Sequence, residues 1–186
     1  MSVMPRRRRF TVDEYYAMAD AGILTEDDRV ELIEGEIIQM ASIGSRHAAC
    51  VNRLTRLLVD GAGDAAVVTV QNPVRLSDLT EPQPDFALVQ PRPDFYADAH
   101  PRPEDVLLIV EVALTTLGYD RDIKLPLYAR ARVPEVWIVD LEGDAVEVYR
   151  EASEGEFHDA TRAGRNDVLH PVAFPAITVP VAQILT

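Results

Sequence analysis

The spacing of hydrophobic positions changes along the chain, and each spacing predicts a different element. Residues 11–21 place apolar side chains on one helical face, and Thr11 stands three residues before Glu14, the spacing of a capping box. Residues 29–40 instead contain two short apolar runs around Glu34-Gly35, a pair typical of a turn. The pattern predicts an N-terminal helix followed by a β-hairpin.

A second helical pattern begins at Ser45. Apolar side chains recur there at intervals of three and four residues, and the pattern ends at the glycines 61 and 63. His47 lies in the first turn, on the same face. A third helix is predicted from Tyr119 to Arg132, and it must begin near Lys124 or kink, since Pro126 is easily accommodated only in a first helical turn.

Runs rich in β-branched residues predict the strands, and the proline-rich residues 91–105 between two of them predict a surface loop. The predicted strands are 65–76, 84–90, 106–114, 133–141, 145–151 and 156–162. The C-terminal VPVAQIL predicts either a short helix or an extended tail. This order of elements predicts an α/β fold with a β-sheet of mixed direction.

Composition favours one domain over residues 11–186, preceded by a basic tail over residues 1–10. The chain has 186 residues, 47% of them hydrophobic, which is enough for a full core. No apolar run approaches the roughly 20 residues of a membrane-spanning helix. A single cysteine, Cys50, forms no internal disulfide. We therefore expect a cytoplasmic protein with no membrane partner.

The formal net charge of -13 argues against a protein that coats nucleic acid non-specifically. Any contact with DNA must therefore be local. Of the 18 basic residues, 17 are arginine, and Lys124 is the single lysine. Its position after a carboxylate-bearing strand makes it a candidate for a specific role, although a cation on a helix surface is the simpler interpretation.

Carboxylates are the strongest candidates for chemistry. The sequence has no glycine-rich phosphate loop, no Cys/His zinc spacing and no nucleophile elbow. Asp85 opens one apolar strand and Glu111 lies inside another, where an unpaired buried carboxylate would be costly. We therefore expect a cation or hydrogen-bond donors near each. Carboxylate ligands suit Mg²⁺ or Mn²⁺.

These residues carry a resemblance to a known group of enzymes. Pro84-Asp85 and, about 25 residues later, Glu111-Val112-Ala113 resemble the signature of the PD-(D/E)XK nuclease superfamily. The ordered segments from Arg29 to the C-terminus, above all KLPLYARARVPEVWIVD, resemble the Uma-type family of putative restriction endonucleases within it. The resemblance implies a restriction-endonuclease-like core, in which helices flank a mixed β-sheet and the site lies at the ends of the two carboxylate-bearing strands.

The resemblance also implies roles for individual residues. Asp85, Glu111 and Lys124 would be catalytic, and Lys124 would replace the lysine that the superfamily pattern has where Ala113 stands. The metal would be held by Glu34, Asp85, Glu111 and the backbone carbonyl of Val112. His47 and Gln83 also match the family pattern, as auxiliary residues. Residues 114–118 depart from the polar Ser-Pro-Ser stretch usual after the glutamate strand.

The implied activity is a Mg²⁺-dependent, or Mn²⁺-dependent, endonuclease that hydrolyses DNA phosphodiester bonds. Two alternatives stay open: a nuclease-like binding or assembly module without turnover, and a metal-dependent hydrolase of a small phosphorylated substrate. We also expect a homodimer, because strands 133–141 and 145–151 are candidates for a sheet edge and duplex cleavage needs two sites.

Overall fold

A six-stranded mixed β-sheet organises the fold, and the computed structural model describes residues 7–25 and 27–185. The strands lie in the order β3-β4-β5-β6-β7-β8, and all neighbours are antiparallel except the parallel pair β5 and β6. The six strands are β3 Val67–Val70, β4 Phe86–Val89, β5 Val106–Ala113, β6 Glu135–Asp140, β7 Ala145–Ser153 and β8 Glu156–Gly164. The predicted mixed sheet flanked by helices is confirmed.

The N-terminal helix and hairpin are also as predicted. Helix α1 spans Val12–Asp20 and begins with the capping box between Thr11 and Glu14. Strands β1 (Val30–Ile33) and β2 (Glu36–Gln39) pair antiparallel around a turn in which Glu34 and Gly35 have φ values of 48° and 79°. Positive φ at both central residues is characteristic of a type I′ turn, whose twist matches that of the two strands it joins.

Helices cover both faces of the sheet. Helix α2, Ser45–Ala62, packs against one face with the C-terminal segment, in a core that includes the buried Trp137. The other face is covered by the segment that connects β5 to β6, with Tyr128 buried against the sheet. A parallel strand pair needs such a crossover connection. The two cores therefore fix the strand ends that carry the predicted carboxylates.

The crossover helix begins earlier than the sequence predicted. It starts as α3, Leu117–Tyr119, passes through a π-helical turn, Asp120–Lys124, and continues as α4, Leu125–Arg130. A proline lacks an N–H group, and its ring crowds the carbonyl four residues earlier. The wide π turn directly before Pro126 accommodates this conflict, and it places Lys124 in the buried interior.

Some predictions about strands and edges need correction. Only Val67–Val70 of the predicted strand 65–76 is a strand: a 3₁₀ turn, Gly63–Ala65, precedes it, and the chain leaves the sheet after Gln71. Strands 133–141 and 145–151 do not form a sheet edge, because β6 and β7 lie inside the sheet and its two edges are β3 and β8.

The C-terminal region adds short elements. The structure adds the strands β9, Val168–Leu169, and β10, Val179–Pro180, and ends with the short helix α5, Val181–Ile184. Within the described ranges, no helix has the length and apolar character to cross a membrane. Arg6 of the basic tail lies outside the described residues, and the single domain over residues 11–186 stays a prediction.

Candidate active site

The two predicted carboxylates come from neighbouring antiparallel strands. Asp85 directly precedes β4, and Glu111 lies in β5, which pairs with β4 up to Phe86 and Val110. Oδ2 of Asp85 accepts the backbone N–H of Val112 at 2.8 Å and so extends the contact between the strands by one residue. Asp85 is therefore bonded directly to the residue that follows Glu111.

Two further donors hold Asp85. Nε2 of His47, in the first turn of α2, donates to Oδ2 at 3.0 Å, and Nε2 of Gln71, directly after β3, donates to Oδ1 at 3.0 Å. Burial by itself favours the neutral acid, but the hydrogen bonds from His47, Gln71 and Val112 lower the pKa of Asp85. Asp85 is therefore a fixed, ionised carboxylate.

Lys124 lies between two other carboxylates. Its Nζ is 3.2 Å from Oε1 of Glu111 and 3.2 Å from Oε2 of Glu31, and all three side chains are buried. Oε1 of Glu111 also accepts the hydroxyl of Tyr128 at 2.6 Å. Glu31 comes from β1, so the hairpin, the central sheet and the crossover helix meet at this point.

Donors from two segments hold Glu31. Its Oε1 accepts the hydroxyl of Tyr119 at 3.1 Å, and its Oε2 accepts the backbone N–H of Gln83 at 3.0 Å. The side-chain amide of Gln83 donates to the carbonyl of Val30 at 3.2 Å. The backbone of Gln83 therefore contacts the site, while its side chain forms a hydrogen bond with strand β1 of the hairpin.

Glu31, not Glu34, is the acidic residue that the hairpin brings to the site. Glu34 lies at the hairpin turn, where its side chain is half exposed and pairs with Arg130 at 2.9 Å. Glu34 therefore lies apart from the other predicted ligands, because the tip of the hairpin is held away from the strand ends. The signal for Glu31 was present in the sequence, because Glu31 interrupts an apolar strand just as Glu111 does.

The cluster has an excess of negative charge. Burial raises the pKa of Glu111 to about 8; Lys124 opposes this shift, whereas Asp120 and Asp85 add to it. Burial would by itself lower the pKa of Lys124, but Glu111 and Glu31 raise it, so the ammonium stays charged. One ammonium thus faces several buried carboxylates, which favours the binding of a further cation.

The raised pKa of Glu111 predicts how stability depends on pH. Between its ordinary pKa of 4.5 and about 8, the folded protein retains a proton that the unfolded chain releases. The free energy of unfolding should therefore fall as pH rises through this window, by up to about 1.4 kcal/mol per pH unit. Glu111→Gln removes this titration, so its stability relative to the wild type should increase from pH 5 to 8. Urea unfolding in EDTA measures this, and parallel curves for the two proteins would contradict it.

These groups line a cavity of about 220 Å³ at the ends of β4 and β5. Its walls come from the hairpin, α2, the end of β3 and the segment that follows β5. The lining includes Arg29, Glu31, His47, Gln71, Gln83, Asp85, Glu111, Val112, Asp120 and Lys124. The structure therefore brings together Asp85, Glu111, Lys124, Val112, His47 and Gln83 from the sequence prediction.

The chain matches the model of a protein family over most of its length. The model is Uma2, described as "Putative restriction endonuclease", and it matches residues 12–182. The chain belongs to the Uma2 family. This confirms the family predicted from the segments after Arg29. Among curated proteins, none matches the chain.

A solved structure shows the same fold as this Uma2 chain. It is a putative nuclease belonging to DUF820 from Anabaena variabilis ATCC 29413, and it matches with a TM-score of 0.71. The match covers 94% of this chain and 97% of that chain at 14% sequence identity. Similarity at this level of identity establishes the shared architecture.

The carboxylates of the Uma2 chain have free lone pairs for a metal. A carboxylate has about four lone-pair positions. The hydrogen bonds and ion contacts described above leave one on Oδ1 of Asp85, one on Oε1 of Glu31 and, when Glu111 is ionised, two on its Oε2. The backbone carbonyl of Val112 points to the same side of β5 as its N–H, toward Asp85. This all-oxygen set fits a hard divalent cation.

The ligand set is not yet gathered around one point. Within residues 7–25 and 27–185, no three Asp, Glu, His or Cys side chains already form a cluster that would hold a metal. The ammonium of Lys124 lies between two of the candidate ligands, Glu31 and Glu111. The donor chemistry fits a metal, and Lys124 supplies a positive charge between the carboxylates.

Proposed function

We propose that this Uma2 protein is an endonuclease that hydrolyses DNA phosphodiester bonds with a divalent cation, Mg²⁺ or Mn²⁺. The observation that carries the proposal is that Asp85, Glu111, Glu31 and Lys124 line one cavity, in which Lys124 lies between Glu31 and Glu111. The family description as a restriction endonuclease supports the reaction class. The oxygen-only ligands support the choice of metal.

Three side chains would hold the cation: Glu31, Asp85 and Glu111, together with the backbone carbonyl of Val112. When bound, such a cation lowers the pKa of water and neutralises charge on phosphoryl oxygens. The hydrogen bonds from His47 and Val112 keep Asp85 ionised and fixed in orientation. A preorganised carboxylate needs no rearrangement as the substrate arrives.

Lys124 is the group that we assign to the substrate. Its ammonium stays charged because Glu31 and Glu111 flank it, and it lines the same cavity as the proposed metal ligands. A fixed positive charge in a buried site stabilises the negative charge that develops on a phosphoryl group during hydrolysis. Tyr128 and Tyr119, which donate to Glu111 and Glu31, hold the two carboxylates that flank it.

One observation favours a second candidate, a nuclease-like binding module without turnover. In the described part of the chain, no three ligating side chains are gathered for a metal, and Lys124 neutralises part of the carboxylate charge. A protein that kept this arrangement permanently would have the fold but no activity. The two candidates differ in one measurable property, which is binding of a divalent metal.

Conversion of supercoiled plasmid at low salt tests the proposal. We expect nicked or linear product with Mg²⁺ or Mn²⁺ and none with EDTA, and nucleotides in excess should compete poorly. Strong competition by nucleotides would instead support a hydrolase of small phosphorylated substrates. Absence of cleavage together with absence of metal binding would support the binding module.

Two expectations about the protein in the cell stay predictions. A homodimer would supply one site for each strand of a duplex, and the sheet has two edge strands, β3 and β8, to which a partner strand can be added. A cytoplasmic location is expected from the single cysteine and from the lack of a long apolar run in the sequence. Sedimentation of the purified protein measures the first, and cell fractionation measures the second.

A further inference from the structure

Gln71 has a backbone conformation that glutamine rarely adopts. Its φ is 54°, in the left-handed region, and it lies directly after the last residue of β3. Side chains other than glycine adopt this region only at an energetic cost, and such residues persist where several contacts require them. The position therefore calls for a structural or functional reason.

The backbone and the side chain of Gln71 both donate hydrogen bonds to Asp85. Its backbone N–H donates to the carbonyl of Asp85 at 3.0 Å, which continues the β3–β4 pairing by one step. Its side-chain amide donates to Oδ1 of Asp85, also at 3.0 Å. The left-handed backbone thus combines a bond to the main chain of Asp85 with a bond to its carboxylate.

The donors on Asp85 divide between its two oxygens. Oδ2 accepts from His47 and Val112, whereas among the described residues Gln71 is the donor on Oδ1. The bonds to Oδ2 resist rotation about the Cβ–Cγ bond from one side of the carboxylate. The amide of Gln71 resists it from the other side and leaves one lone pair on Oδ1.

We propose that Gln71 is a positioning residue that fixes the carboxylate of Asp85 for a divalent cation. The proposal rests on the proposed function, because it assigns Asp85 to that cation. Gln71 itself does not contact the metal. It acts through the orientation of Asp85, as hydrogen-bond partners of ligating carboxylates do at other metal sites.

The test is the affinity of the purified full-length protein for Mn²⁺, followed by the electron paramagnetic resonance signal of free Mn²⁺. Gln71→Ala keeps a side chain at the strained position and removes the amide. We expect Mn²⁺ affinity to fall by about 10- to 100-fold. In Gln71→Asn, asparagine adopts the left-handed backbone readily, but its side chain is one methylene shorter and its amide does not reach Asp85. We therefore expect a similar loss of Mn²⁺ affinity.

Two controls separate positioning from folding. Gln71→Gly removes the amide and relieves the strained backbone, so it should lose Mn²⁺ affinity while its melting temperature exceeds that of Gln71→Ala. Gln39→Ala removes an exposed glutamine that lines the same cavity from β2, and it should bind Mn²⁺ like the wild type.

The outcomes distinguish this inference from the proposed function. Wild-type binding with a loss in all three Gln71 variants, and none in Gln39→Ala, supports the positioning role. Wild-type binding with all Gln71 variants within twofold of it would overturn that role and leave the proposed function intact. A wild-type protein that binds no Mn²⁺ would overturn both.

Discussion

Asp85→Asn and Glu111→Gln are expected to lower the rate of metal-dependent DNA cleavage by at least about 100-fold each. Each substitution keeps the size of the side chain but removes the negative charge that a divalent cation requires. Asp85→Asn also keeps only one of the two acceptor oxygens, so its amide NH₂ group must face a donor, either Gln71 on one side or His47 and Val112 on the other. Initial rates of plasmid nicking at saturating Mg²⁺ measure the loss.

The stability of Glu111→Gln makes this result interpretable. Because Glu111 is buried with a pKa of about 8, its replacement by a neutral amide should stabilise the metal-free protein at pH 8. A variant that is more stable and yet inactive cannot owe its inactivity to unfolding. Cleavage by either variant at the wild-type rate would exclude these carboxylates from the reaction.

Lys124→Met is expected to destabilise the metal-free protein by about 3–5 kcal/mol at pH 8. The substitution preserves an unbranched side chain but leaves Glu31 and Glu111 buried without their shared cation. The cost should shrink at pH 5, because a protonated Glu111 needs no counter-charge. Urea unfolding at the two pH values, both in EDTA, measures the effect.

A double-mutant cycle isolates the ion contact from the loss of packing. Combined with Glu111→Gln, the Lys124→Met substitution should cost less than it does alone, since one of the two carboxylates has become neutral. Arg130→Met is the matched control, because Arg130 pairs with Glu34 and both side chains are about half exposed. Its cost should not exceed about 1 kcal/mol. Equal costs for Lys124→Met and Arg130→Met would contradict a structural role for the buried lysine.

Much of the fold was predictable because local signals and tertiary packing agree. The capping box at Thr11, the turn at Glu34-Gly35 and the long apolar strand around Glu111 all formed where the patterns predicted. The π turn before Pro126 was not predictable. It places Lys124 between two carboxylates, one of which, Glu31, is distant in the sequence, so the local pattern did not show it.

The site was predictable where a charge interrupts an apolar strand. Glu111 carries that signal, and Asp85 stands at the start of an apolar strand. Glu31 carries the same signal as Glu111, but the prediction named Glu34. Glu31 lies within β1, whose four residues are all buried, whereas Glu34 lies in the turn that follows. Gln71 carried no such signal, because its role depends on a backbone conformation that the sequence does not display.

The most direct test of this active site is the initial rate of Mg²⁺-dependent plasmid cleavage by the wild type, Glu31→Gln and Glu34→Gln, purified in parallel. We expect cleavage that EDTA abolishes, a loss of at least about 100-fold in Glu31→Gln, and a rate within about twofold of the wild type in Glu34→Gln. Equal rates for all three proteins, or loss in Glu34→Gln with Glu31→Gln unaffected, would contradict a metal-dependent active site in this cavity.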